Sequence, residues 1–134
     1  MKHLLITLIL MFISASTLAD NIKSIPNKFT GLWADSVKTC RTQAPSGDYM
    51  LLVNVSAKQI SGNYTESSFT YNPISMEDDW IHNNVINTAG WYAPYYDENG
   101  EDQEKPKVIN IMLFMKDSGL FILPLSSKKL VKCL

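Results

Sequence analysis

Beyond residue 20 the apolar positions tend to recur at every second residue, in short runs separated by turn-forming residues. A period of two marks strands, because successive side chains point to opposite faces of a sheet. Phe29 to Ala34 (FTGLWA) predicts the first strand. Tyr49 to Val55 follows the turn-rich Ala44-Pro45-Ser46-Gly47-Asp48, with Tyr49, Leu51, Val53 and Val55 on one face. A tight turn at Ala57-Lys58 leads into Gln59 to Glu66, where Ile60, Gly62 and Tyr64 share a face. Phe69-Thr70-Tyr71 predicts continued sheet until Asn72-Pro73 interrupts it. Between Ile74 and Pro106 the pattern is less regular. Trp80 to Ala89 fits a strand or a short helical turn, which Met76 to Asp79 would start.

The alternation is clearest near the C-terminus. Lys107 to Met115 places Ile109, Ile111, Leu113 and Met115 on one apolar face, and Val108, Asn110, Met112 and Phe114 on the other. Lys116-Asp117-Ser118-Gly119 suits a hairpin turn with Gly119 at positive φ. Leu120 to Leu125 returns as its partner, with Pro124 marking an edge or bulge. Ser126-Ser127 predicts another turn before a last strand from Lys129 to Leu134. Lys132 favours water, so Cys133 is expected to face inward beside Val131. Successive hairpins predict an all-β fold, an antiparallel meander of seven or eight strands that closes into a small barrel and so hides its edges. A two-sheet β-sandwich is the alternative.

Residues 1–19 have the layout of a cleaved export signal. Lys2 and His3 form a polar start, Leu4 to Ile13 is an apolar run, and Thr17-Leu18-Ala19 puts small residues where signal peptidase cuts. That run is shorter than the roughly twenty residues a membrane span needs. The expected organisation is a signal at 1–19, an N-terminal extension at 20–28 and a single β domain at 29–134, exported to the periplasm or secreted. Cys40 and Cys133 are the two cysteines. In an oxidising compartment they are expected to pair, with an intermolecular bridge or free thiols as the alternatives. Closing a loop of about 95 residues removes roughly 4–5 kcal/mol of chain entropy from the unfolded state. The formal net charge is -1 and the basic residues are scattered, so no basic stripe invites nucleic acid.

Phe29-x-Gly31-x-Trp33 at the first strand, Cys40, an Ile60-Ser61-Gly62 strand start and a terminal Cys133 together resemble small exported bacterial proteins with lipocalin-like barrels and no assigned activity. The resemblance implies a lipocalin-like β-barrel in which Gly31 lets the backbone pass close to its neighbour and Trp33 plugs the barrel floor.

Catalytic chemistry is hard to assemble from this chain. His82 is the one histidine beyond the signal, which excludes a multi-histidine metal site within one chain. No serine sits in a G-x-S-x-G elbow. Glu77-Asp78-Asp79 could supply paired carboxylates, and its plainer reading is a solvated turn. Asp97 to Asp102 superficially suggests a calcium loop, but Asp102 and Val108 stand where an EF-hand needs Gly and Glu. No enzyme activity, cofactor or metal is therefore expected.

One constellation does suggest recognition. Trp80, Trp91, Tyr92, Tyr95 and Tyr96 crowd a short stretch in which Ala93-Pro94 is expected to break any regular strand. The acidic residues Asp97, Glu98, Glu101 and Asp102 follow directly. Large rings with polar handles are what binding surfaces favour. The competing reading has Trp91 and Tyr92 plugging the barrel while the tyrosines cover its rim. The expected function is a non-enzymatic binding protein, an inhibitor or immunity-type protein gripping a hydrolase or toxin through this aromatic-acidic segment. Alternatives are carriage of a small apolar ligand inside the barrel, lined by Leu51, Val53, Ile111 and Leu113, or recognition of glycan or peptidoglycan.

Overall fold

Alternating burial along eight strands builds the molecule. The computed structural model describes residues 24–42, 51–64, 67–78, 84–95 and 104–134. The proposed signal, Tyr49, Met50 and Glu66 lie outside them. The strands are β1 (Gly31–Ala34), β2 (Leu52–Val55), β3 (Ile60–Asn63), β4 (Ser68–Asp78), β5 (Val85–Tyr95), β6 (Lys107–Lys116), β7 (Gly119–Leu123) and β8 (Ser126–Lys132). Each pairs antiparallel with the next, and β1 pairs with β8, so the sheet closes into a barrel. Closure excludes the two-sheet alternative. A short helix, α1 (Val37–Thr42), follows β1, and Ser36 Oγ accepts the Thr39 N–H at its start.

Inward positions carry Trp33, Val53, Val55, Ile60, Phe69, Tyr71, Met76, Ile86, Ile111, Leu113, Leu120, Ile122 and Leu130, all buried in one apolar cluster. A 3-10 turn at Asn27–Phe29 closes the end where β1 begins. Phe29, expected in the first strand, belongs to this turn. It is fully buried, its carbonyl accepts the Trp33 indole N–H at 3.0 Å, and Ile25 N–H reaches the Ala57 carbonyl at 2.8 Å. Trp33 thus packs at the floor, as the resemblance implied. Deeper in the barrel the hydroxyls of Tyr71 and Thr88 lie 2.7 Å apart, and Thr88 donates to the Ile111 carbonyl at 2.8 Å. Those bonds satisfy polar groups that would otherwise be costly in an apolar interior.

Several boundaries differ from the sequence expectations. Asn72-Pro73 does not end the sheet: β4 runs on to Asp78, with a register shift between Pro73 and Ser75. A bulge tolerates a residue without an N–H. Ala93-Pro94 does not break β5 either. Pro94 pairs with Phe69 beyond the Tyr92↔Lys107 pair, where β5 has β4 as its neighbour but no longer β6. Glu77 and Asp78 lie in β4 rather than in a turn. The β6–β7 hairpin turns on Asp117 and Ser118, at φ 51° and 61°, while Gly119 is the first residue of β7. Both central residues at positive φ match the right-handed twist of the flanking strands. Ser126 and Ser127 belong to β8, the turn falling at Pro124-Leu125.

The facing of β8 is also the reverse of the expectation. Leu130 is fully buried, whereas Val131 and Cys133 are half-buried on the outer side. Lys132 shares the inward parity of Leu130 and escapes burial at the strand end, its ammonium 5.6 Å from the Trp33 ring centroid. A long stem can cover apolar surface while its charge stays wet. Cys133 therefore meets Cys40 of α1 outside the barrel wall, where the two form a disulfide with Cα atoms 5.2 Å apart.

Candidate functional site

The surface that stands out is the outer face of β4, β5 and β6. Register places Asn72 beside Trp91 and Trp91 beside Val108; one row on, Ser75, Ala89 and Asn110 align, and beyond them Glu77, Asn87 and Met112. Because strand parity sends these side chains outward, an apolar residue here has no core to enter. Trp91 is 48% exposed, Val108 53%, Met112 37%, and Ile74, the extra residue of the β4 bulge, 63%. Next to the Trp91 row the twisted strands enclose a surface cavity of about 520 Å³, walled by Ser75, Glu77, Asn87, Asn110, Met112 and Pro124. Its chemistry is mixed: amide and hydroxyl groups that can exchange hydrogen bonds, one carboxylate, and a thioether that adapts its shape.

The aromatic constellation read from the sequence is divided by the barrel wall. Trp91 points out. Tyr92 points in, its ring 5.6 Å from that of Phe69, and packs against the core. Tyr95 is half-buried at the end of β5. Trp80, Tyr96, Asp97, Glu98, Glu101 and Asp102 lie outside the described residues, as does His82. β5 ends at Tyr95 and β6 begins at Lys107, so the acidic segment connects two strands of the Trp91 face.

Ile74, Val108 and Met112 were not singled out as site residues. The signal for two of them was available: β6 is apolar on both faces, although a barrel wall needs one. A further outward pair, Phe114 and Phe121, stacks across β6 and β7 at 4.6 Å. Ile74 had no such signal, because its exposure depends on the bulge.

Among the described residues no group of three or more His, Cys, Asp or Glu side chains converges as a metal site. None of the helices described there is long and apolar enough to cross a membrane. No protein-family model, curated protein or solved structure matches the chain.

Proposed function

We propose that this protein is an exported, non-enzymatic binding module that grips a protein partner through the outer face of β4–β6. The observation that carries this reading is Trp91, half exposed on a rigid strand, with Val108 beside it and a cavity one row away. Exposed aromatics on a fixed scaffold bury large area at little entropic cost, which is how interface anchors work. The acidic run from Asp97 to Glu104 joins the strands of that face and would steer a partner with a basic surface. A disulfide fits an oxidising compartment, and a periplasmic inhibitor or immunity-type role against a hydrolase or toxin suits the module. The packed cluster around Val53, Ile111 and Leu113 counts against carriage of an apolar ligand inside the barrel.

The test uses the disulfide-bonded protein purified from its own host. Native mass spectrometry of wild type should show a stoichiometric complex with one basic protein, weakened by salt. The pair Trp91→Ser and Val108→Ser should lose at least about tenfold in affinity while keeping its melting temperature. Equal complex formation by wild type and variant would remove this face from the interaction. Retention by cell-wall polysaccharide instead of a protein would favour glycan recognition by the same tryptophan.

A further inference from the structure

A second cavity, of about 380 Å³, opens at the opposite end of the barrel from the Phe29 plug. Here β1 and β3 finish and β2 and β8 start, and the walls come from Asp35, Leu51, Tyr64, Leu125, Ser126 and Lys128. Asp35 is anchored just past β1 by its own N–H, which donates to the Leu51 carbonyl at 3.1 Å. Its carboxylate oxygen Oδ1 is buried and has no hydrogen-bond partner. Native proteins seldom leave such an atom unpaired, because an unmet buried acceptor costs the full desolvation of the group. Lys128, the cation in the cavity wall, is exposed to solvent and leaves that oxygen unmet.

The remaining walls narrow the choice of ligand. Leu51 and Leu125 are apolar. The Tyr64 hydroxyl is committed, donating to the Leu125 carbonyl at 3.2 Å, and burial pushes its ionisation up, so the ring serves as neutral wall. No wall group, the hydroxyls of Ser126 and Ser127 included, donates to Asp35 Oδ1, and what the cup offers besides is apolar surface for a short stem.

We propose that this cup binds an organic cation, an ammonium or guanidinium group on a short aliphatic stem, with Asp35 as its counter-charge. A charged donor forms a bond about twice as strong as a neutral one, which separates a cation from an alcohol of the same shape. The stem lies along Leu51 and Leu125 as lysine stems do on protein surfaces. Two sources share this chemistry, a free amine and a lysine or arginine side chain presented by another protein. The site is at the barrel rim and does not depend on the Trp91 face.

Titrations of the disulfide-bonded chain with n-butylammonium, n-butanol and a capped Ala-Lys-Ala peptide, followed by backbone amide shifts, test the proposal. Butylammonium should move the Asp35, Leu51, Tyr64 and Lys128 signals saturably. Butanol should bind at least about tenfold more weakly, and Asp35→Asn should weaken butylammonium by a similar factor. A peptide that binds more tightly than butylammonium assigns the cup to a protein side chain, and the reverse order assigns it to a free amine. Equal shifts with butanol, or no saturable shift with either cation, would overturn the proposal. Both comparisons use unmutated protein, so they stand even where Asp35→Asn fails to fold.

Discussion

Single side chains decide how the barrel floor is sealed. Trp33 fills the interior and spends its one donor on the Phe29 carbonyl, so size and polarity are satisfied together. Gly31 adopts φ 126°, in the region that favours glycine, and a Cβ there would stand 3.1 Å from Lys132 Cε. The lysine stem thus occupies the space that the missing side chain leaves. Trp33→Phe removes the donor and part of the ring, leaving an unmet carbonyl and a void. The expected loss is about 2–3 kcal/mol, read as a lower urea midpoint with unchanged slope. Tyr71 sets a limit at high pH. Burial raises its ionisation above the ordinary 10.0, with the Thr88 hydrogen bond offsetting part of the shift. Below pH 10 the folded and unfolded chains both hold this proton, so stability is insensitive to it. Above that pH the unfolded chain releases the proton first, and stability falls as pH rises through the folded value. Tyr71→Phe should flatten that alkaline decline in unfolding titrations, although losing the hydrogen bond to Thr88, which keeps the Ile111 carbonyl as its acceptor, lowers stability at neutral pH.

The elements show where alternation suffices and where local chemistry overrides it. The inward faces of β2, β3 and β6 were legible because Val53, Val55, Ile60, Ile111 and Leu113 follow a strict period of two. Prolines misled. Pro73 and Pro94 forfeit an N–H, yet one sits at a bulge and the other beyond the reach of β6, and neither circumstance shows in a single strand. Gly90 is the hidden partner of that bulge: a Cβ there would collide with the Asn72 carbonyl oxygen and stand 2.7 Å from Pro73 Cα. Both neighbours are backbone and cannot rotate away. Gly90→Ala should therefore cost about 1–3 kcal/mol and shift amide signals along both β4 and β5. The opposite sign is expected at the β6–β7 hairpin, where Ser118 holds φ 61°. Ser118→Gly relieves that strain and should raise stability by about 1 kcal/mol. The binding face was half legible. Trp91 stood out by its aromatic neighbours, but its separation from Tyr92 follows from a continuous β5 that the proline had seemed to forbid.

At the scale of the molecule the weak point is the seam that makes the barrel closed. β1 meets β8 at Trp33↔Lys132 and Ala34↔Val131, whereas β4 and β5 pair along most of their length. The Cys133 N–H extends the seam by one bond to the Leu32 carbonyl at 2.8 Å. The disulfide lies across the same place, joining Cys133 just past β8 to Cys40 in the helix that follows β1. With the cysteines separated by 93 positions in sequence, the bridge removes much of the unfolded chain's freedom, about 4–5 kcal/mol in the entropic model. A purely entropic bridge would lower the protection of every strand alike when it is removed. A bridge that also holds a short seam shut has a local signature. In Cys40→Ala/Cys133→Ala, amide exchange at Ala34, Val131 and position 133, whose N–H groups face the seam, should accelerate well beyond the global loss, which itself should be about 2–5 kcal/mol. Amides in the middle of β4 and β5, such as Tyr71 and Thr88, should follow the global value. Uniform loss across all eight strands would show that the sheet closes unaided and that the bridge acts on the unfolded chain alone.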